Sequence, residues 1–117
     1  MKIHIKVEDR TLTATLADSE AARDFAALLP LTLTLTDYHS TEKIAELPKK
    51  LSTEGAPAGV DPEVGDIAYY APWRNLAIYY RDFGYSSGLV KLAHLDSGVE
   101  ALSKSGPVRV TIERAEQ

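Results

Sequence analysis

The residues of this chain best suited to chemistry are its histidines. They lie far apart, at His4, His39 and His94. His4 and His94 fall in segments where apolar and polar residues alternate, which is typical of a solvated strand position, whereas His39 lies in a polar turn and is the better candidate for a ligand contact. No pair has the spacing of metal ligands, and cysteine is absent. The sequence therefore predicts neither a metal site nor a cofactor.

Nucleophilic catalysis has little support in the residue pattern. A serine–histidine–aspartate set can be assembled from Ser86 or Ser87, His39 or His94, and Asp82 or Asp96. No nucleophile-elbow sequence surrounds these serines, and any chain of this composition offers such sets. The glycines do not form a phosphate-binding loop either. We therefore predict no catalytic residue.

Aromatic residues are concentrated in residues 65–88, which contain five of the six tyrosines and the only tryptophan. Tyrosine, tryptophan and arginine are enriched where proteins bind partners. We predict a ligand-binding groove formed by Trp73, Tyr79, Arg81, Asp82, Tyr85 and His39. The alternative interpretation is that the tyrosines fill the core and bury their rings with satisfied hydroxyls. The sequence leaves both interpretations open.

Length and composition restrict the domain organisation and the partners. The chain of 117 residues is sufficient for a single domain, residues 1–117, and too short for two. Its formal net charge of −4 opposes binding to nucleic acid, which requires a basic surface. The N-terminal segment has the alternation of a strand, and no apolar segment approaches membrane-spanning length. We therefore expect a cytoplasmic protein with no membrane or nucleic-acid partner.

The pattern of apolar residues predicts many short strands and little helix. Alternation is clearest in Leu31–Thr36, where one face is all leucine and the other all threonine. Helical spacing over Ser19–Leu29, ended by Pro30, predicts the one full helix. The predicted elements of the first half are, in chain order, a hairpin of residues 3–8 and 11–16 that turns at Asp9-Arg10, helix Ser19–Leu29, strands 31–36 and 44–47, and a loop over Ser52–Pro62. Those of the second half are strands 66–70 and 76–81, a loop over Asp82–Gly88, strand 89–95, a short helix over 99–102 capped by Asp96 or Ser97, and strand 108–114.

Short strands separated by turns, with a strand at each end of the chain, indicate a closed barrel. We predict a mostly β barrel with the helix Ser19–Leu29 closing one end. The predicted core consists of Ile3, Ile5, Leu12, Phe25, Leu33, Leu35, Ile67, Ile78, Val90, Leu92, Val110 and Ile112.

Residues 65–102, GDIAYYAPWRNLAIYYRDFGYSSGLVKLAHLDSGVEAL, resemble a family of small, mostly uncharacterised prokaryotic proteins with a cyclophilin-like fold. Tyr38 and residues 42–51 look similar to that family too, so the resemblance extends over nearly the whole chain. It implies a closed antiparallel barrel of about eight strands with short helices capping both ends, which agrees with the element order above. Arg74 stands where we expect the family to prefer glycine, which matters only if the position requires a positive φ.

The similarity to true cyclophilins is weaker. Their catalytic arginine and Phe-Met-x-Gln set have no counterpart in residues 42–51. Prolyl isomerisation requires a donor that binds the twisted amide, so the missing arginine argues against that activity. The leading prediction is a non-catalytic binding module for a peptide or small ligand. The alternatives are a diverged peptidyl-prolyl cis-trans isomerase and an oligomeric scaffold subunit, and the oligomeric state stays open.

Overall fold

A computed structural model describes residues 1–8 and 10–115 of the chain. The strands in these residues are β1 (Lys2–Val7), β2 (Arg10–Leu16), β3 (Leu31–Tyr38), β4 (Glu42–Glu46), β5 (Gly59–Val60), β6 (Asp66–Tyr70), β7 (Asn75–Tyr79), β8 (Ser86–Ser87), β9 (Leu89–Leu95) and β10 (Val108–Arg114). All except β5 and β8 close into one barrel in the order β1-β10-β3-β4-β7-β6-β9-β2. Every pairing in it is antiparallel, and closure leaves the barrel without a free edge. The predicted mostly β closed barrel is confirmed.

The barrel interior is filled by the apolar residues of the alternating strands. In β1, for example, Ile3, Ile5 and Val7 are buried while Lys2 and Lys6 are exposed. All of the predicted core residues are buried except Leu33, which is partly buried and packs against the same core. Burial of each large apolar side chain contributes about 1.5–3 kcal/mol, so this core is the main stabilising feature of the domain.

The helix α1 (Glu20–Ala27) packs against β9. It begins after Ser19, whose hydroxyl oxygen accepts the N–H of Ala22 at 3.2 Å and so satisfies one free helix-end donor. Its buried face includes Phe25, which belongs to the barrel core. The helix ends at Ala27 with Leu28 as its C-cap, so it is shorter than the predicted Ser19–Leu29.

Two segments that were predicted to be plain loops contain short strands. β5 lies within the predicted loop Ser52–Pro62 and β8 within the predicted loop Asp82–Gly88, and the two pair as a separate two-stranded ribbon. A two-residue strand is too short to show periodicity, so the sequence pattern could not reveal it. The pairing is close enough that any side chain at Gly59 would collide with the backbone carbonyl of Ser86.

Other differences concern the ends of elements. β3 extends to Tyr38 instead of ending at residue 36, β4 covers residues 42–46 instead of 44–47, and β7 covers residues 75–79 instead of 76–81. Polar residues at these ends pair with neighbouring strands although they add no apolar alternation. The predicted turn at Asp9-Arg10 includes Asp9, which lies outside the described residues, while Arg10 is already in β2 opposite Val7.

The short C-terminal helix is a single 3₁₀ turn over Val99–Leu102. It begins after Gly98, at φ 88°, and neither Asp96 nor Ser97 caps it. Asp96 is engaged elsewhere: its carboxylate accepts hydrogen bonds from Lys2 at 2.8 Å and Thr15 at 2.9 Å. In the part of the chain that the structure describes, no helix is long and apolar enough to cross a membrane.

A fully buried lysine, Lys43, lies on β4. Its Nζ donates to the carbonyl oxygens of Lys104 at 2.6 Å and Gly106 at 2.7 Å and lies 3.0 Å from Asp37 Oδ1. Asp37 also accepts the Tyr80 hydroxyl at 2.7 Å and the Gly106 N–H at 2.9 Å. The hydrogen bonds from Tyr80 and Lys43 lower the pKa of Asp37 to about 2. Because every donor of the buried ammonium group has a partner, this network joins β3 and β4 to the segment that precedes β10.

Candidate functional site

A row of side chains crosses the outer face of the barrel on β3, β4 and β7. Tyr38 is opposite Glu42, and Glu42 is opposite Tyr79. Residues directly opposite in paired strands project from the same face of a sheet, so the three side chains are neighbours. This row places a carboxylate between two phenols.

The next row across the same face contains two small residues. Ala77 is opposite Ile44 on β4 and Ala68 on β6. Ala68, Ala77 and Tyr79 are buried, although they form a cluster separate from the barrel core. Two alanines beside larger neighbours leave a depression in the outer surface of the sheet.

This depression is a pocket of about 160 Å³, which we call the outer pocket. It is lined by Tyr38, Glu42, Ile44, Tyr70, Trp73, Asn75, Ala77, Tyr79, Phe83 and Ser86. Five of the lining residues are aromatic, and Glu42 is the one lining residue that can carry a negative charge below the pKa range of tyrosine.

Three aromatic rings form one wall of the outer pocket. Trp73 packs edge-to-face against Tyr38, with ring centroids 5.4 Å apart, and against Tyr70, with centroids 5.2 Å apart. Edge-to-face pairs of this kind contribute about 0.5–1.5 kcal/mol each beyond the area they bury. The Trp73 side chain nevertheless remains 49% exposed, so it has surface available for a ligand.

The turn between β6 and β7 holds Trp73 in this position. The Trp73 N–H donates to the carbonyl of Tyr70 at 3.2 Å, and the Arg74 N–H donates to that of Ala71 at 3.3 Å. Arg74 has φ 57°, so the position where the family was expected to prefer glycine does require a positive φ. The arginine is therefore held in a conformation that costs an L-residue free energy.

Glu42 lines the same pocket as these rings and is only 6% exposed. Burial raises the pKa of its carboxyl above the ordinary value, and hydrogen bonds from the side chains of Tyr79 and Thr41 offset part of that effect. Burial, together with the nearby Glu42, also raises the pKa of Tyr79. The outer pocket thus contains a carboxyl group that is held out of water beside a phenol.

The structure separates the predicted site residues into two groups. Trp73 and Tyr79 both line the outer pocket. His39 lies beside it, with its ring 4.2 Å from that of Tyr38. The other predicted residues lie outside the pocket: Arg81 is exposed, Asp82 accepts the N–H of Val64 at 3.3 Å, and Tyr85 is 63% exposed with its hydroxyl beside Gly59.

Sequence reasoning missed several lining residues, among them Tyr38, Glu42, Tyr70 and Phe83. Glu42 belongs to a segment whose apolar alternation is weak, and its nearness to Tyr79 follows from the register between β4 and β7. Only knowledge of how the strands around residues 42 and 79 pair would have identified Glu42 as a site residue. Register of this kind cannot be read from a single strand pattern.

A second polar cluster surrounds the buried carboxylate of Asp66. Its Oδ1 lies 2.7 Å from His94 Nδ1 and 3.2 Å from Lys91 Nζ, and its Oδ2 accepts the Glu63 N–H at 2.9 Å. The His94 ring also packs against Gly65, where a Cβ atom would lie 3.1 Å from its Cε1. His94 is thus oriented by a carboxylate and is more constrained than a freely solvated strand residue. Within the described residues, no group of three or more His, Cys, Asp or Glu side chains is arranged to hold a metal ion.

The fold is a small closed β-barrel, and the outer pocket is a depression in its external face. The chain belongs to the cyclophilin-like family, whose sequence model matches residues 5–113. The family resemblance stated from the sequence is therefore confirmed.

Solved structures agree with this assignment at the level of the fold. The solution structure of the hypothetical protein AF2241 from Archaeoglobus fulgidus is similar with a TM-score of 0.69 and 21% identity, over 98% of this chain and 95% of that one. The structure of McbB in complex with tryptophan is similar with a TM-score of 0.57 and 14% identity; it matches 98% of this chain, which spans only 45% of McbB. A search of curated proteins found no significant match.

Proposed function

We propose that this protein is a non-catalytic binding module that takes a small ligand, or one side chain of a peptide, in the outer pocket. The observation that carries the proposal is the combination of five aromatic rings with one carboxyl that is nine-tenths buried. Ligand sites are concave and largely apolar, with a small number of polar groups that fix orientation. A buried carboxyl also costs stability, which is typical of groups kept for binding or catalysis.

Trp73 and Tyr79 are proposed to contact the ligand directly. His39, Arg81, Asp82 and Tyr85 are proposed as additional contacts for a ligand that extends beyond the outer pocket, because each lies within two residues of a lining residue. We further propose a cytoplasmic location and no nucleic-acid partner; the formal net charge of −4 supports the latter.

A diverged prolyl isomerase is the weaker reading of the same site. Among the described residues that line the outer pocket, none is an arginine or a glutamine, the residue types that the isomerase mechanism uses. A proline-peptide isomerisation assay separates the two functions. Clear acceleration that Tyr79→Ala abolishes would replace the binding-module proposal with an isomerase.

The third candidate, a scaffold subunit, has one observation in its favour. Trp73, Phe83 and Tyr85 are all large and exposed, and such residues are enriched at interfaces between proteins. Light scattering over a range of protein concentrations tests it. A dimer that persists on dilution and that Trp73→Ala dissociates would favour the scaffold function over a free pocket.

Binding itself is testable through Trp73, because it is the only tryptophan in the chain. We expect its fluorescence to change saturably when a ligand from a panel of proline-containing peptides, free amino acids and small amines enters the outer pocket. Tryptophan, which is fluorescent itself, is tested by chemical-shift mapping instead. Tyr79→Ala should weaken binding by about 2 kcal/mol or more if it is a hot spot, while the control Arg109→Ala on β10 should not. A panel that produces no saturable change in either measurement would refute the proposal.

A further inference from the structure

We propose that the outer pocket is an aromatic cage for a small alkylammonium group, with Glu42 as its counter-ion. This inference rests on the proposed function and adds the chemical class of the ligand to it. Its basis is the arrangement of rings, carboxyl and neighbouring charges around one small volume.

The rings are suited to a cation. Trp73 is nearly perpendicular to both Tyr38 and Tyr70, at 84° and 90°, so the three rings form a wall in which ring planes of different orientation border the pocket. Tyr79 and Phe83 add two more rings, tilted by 39° with centroids 6.4 Å apart. Ring faces carry negative quadrupolar potential and attract ammonium groups, and several faces around one space are the arrangement that recognises methylated amines.

Glu42 supplies the matching charge. It is opposite Tyr79 in the sheet register, lines the outer pocket and is nine-tenths buried. A buried carboxylate is costly unless a cation or several donors compensate it. Lys43, the adjacent cation in the chain, binds Asp37 on the opposite face of β4. Tyr79 and Thr41 donate hydrogen bonds to Glu42 and His39 lies nearby, but none of the described residues that line the outer pocket is basic, which leaves room for a cationic ligand beside the carboxyl.

The size of the pocket restricts the ligand to a compact group. Its volume of about 160 Å³ far exceeds the roughly 10–15 Å³ that one water requires. It is below the roughly 300–1,000 Å³ of pockets that enclose drug-sized molecules. A trimethylammonium or similar head group is of the appropriate scale, with the rest of its molecule extending past the exposed side of Trp73.

The charge state of Glu42 gives the proposal a pH signature. Burial favours the protonated carboxyl in the empty pocket, and a bound cation favours the carboxylate, so binding releases a proton. The titratable groups that face Glu42 are Tyr38 on β3 and Tyr79 on β7, which lie opposite it, and His39 in the turn between β3 and β4; Tyr80, after β7, is also near enough to interact with its charge. We expect the affinity for a permanently charged ligand to increase as the pH rises through the elevated pKa of Glu42.

The test uses two probes of nearly the same shape, choline and its uncharged carbon isostere 3,3-dimethylbutan-1-ol. Binding is followed by Trp73 fluorescence and by chemical-shift mapping of the residues around the outer pocket. We expect choline to bind at least about tenfold more tightly than the isostere, the ratio that cation–π and charge attraction imply. Since choline does not titrate, any pH dependence of its affinity comes from the protein.

Two matched variants then test whether Glu42 is the counter-ion of choline. Glu42→Gln keeps the shape of the side chain; it should reduce choline affinity at least about tenfold, remove the pH dependence of that affinity, and so remove most of the preference for choline over the isostere. Glu46→Gln removes an exposed carboxylate from the end of the same strand and should leave the choline affinity within about twofold.

The outcomes separate this inference from the proposed function. Equal binding of the two probes, or choline binding that Glu42→Gln leaves unchanged, would overturn the cation cage while the outer pocket stays a ligand site. Failure of choline, together with tetramethylammonium and trimethyl-lysine, to perturb any pocket residue would also overturn the cage. The proposed function falls only if the uncharged and peptide probes fail as well.

Discussion

Replacing Arg74 with glycine is expected to stabilise the protein. Arg74 has φ 57° in the turn that carries Trp73, and this conformation costs an L-residue about 1–2 kcal/mol, whereas glycine adopts it freely. Glycine has more freedom in the unfolded chain, which offsets about 0.4–1 kcal/mol of the gain. The net stabilisation is therefore about 0.5–1 kcal/mol.

Thermal unfolding measures this effect directly. For a domain of 117 residues, a gain of this size corresponds to an increase of about 2–4 °C in melting temperature. The backbone bonds of the turn remain possible with glycine, including the one in which the carbonyl of Arg74 accepts the Leu47 N–H at 3.0 Å. The emission spectrum of Trp73 should therefore stay the same.

The matched control is Arg74→Ala, which removes the guanidinium group but keeps the Cβ atom that causes the strain. We expect its melting temperature to equal that of the wild type or to fall slightly. If the glycine variant is no more stable than the alanine variant, position 74 does not have the left-handed backbone on which the reasoning depends.

Three further predictions concern the charged side chains of Lys43, Asp37 and Glu42. Lys43→Met removes a fully buried cation from Asp37 and two carbonyl groups and should cost about 3–5 kcal/mol in urea unfolding. Asp37→Asn should lower the melting temperature at neutral pH. Because the folded-state pKa of Asp37 is lowered, its carboxylate gives stability that is complete above the ordinary pKa of 3.8 and is lost as the carboxylate is protonated in the folded state. The difference between variant and wild type should therefore shrink as the pH falls through about 2. Glu42→Gln should raise the melting temperature at neutral pH. The raised pKa of Glu42 means that the wild type is fully stable only at low pH and loses stability as the pH rises through the folded-state pKa. The higher melting temperature of the variant should therefore disappear below the ordinary glutamate pKa of 4.5.

Each of these has an outcome that would contradict it. A melting temperature for Glu42→Gln that lies below that of the wild type at neutral pH would show that the carboxylate stabilises the empty pocket. A constant difference for Asp37→Asn between pH 7 and about 2 would show that its charge does not contribute. For Lys43, the double variant that combines Lys43→Met with Asp37→Asn should recover part of the single variant's loss if the two groups form one unit; simple additivity would refute that coupling.

The strands and most of the core could be predicted because their signal is local. The alternation of Leu31–Thr36 specifies a strand with one apolar face, and that segment lies within β3. Pro30 and the spacing around Phe25 specify where a helix stops and which face it buries. Such patterns depend on a few adjacent residues, so they can be interpreted without knowledge of the rest of the fold.

The outer pocket depends on information that no local pattern contains. Alternation in β6 and β7 defines two faces, but the sequence alone left open which of them enters the barrel; in the structure Tyr69 is inside, with its hydroxyl accepting the Leu51 N–H at 3.2 Å, and Tyr79 is outside. A slip of one residue in either strand would exchange these faces.

The sequence by itself determined that the chain is mostly β, and it determined the principal core residues, the family and the aromatic character of residues 65–88. Only the tertiary structure decided that Tyr38, Glu42 and Tyr79 form one row, and that Lys43 on the same strand is buried on the opposite side. The physical reason is barrel closure. The strand register is fixed when all eight strands pair in a ring. That register, together with the turn at Arg74, places residues that are distant in the sequence around one pocket.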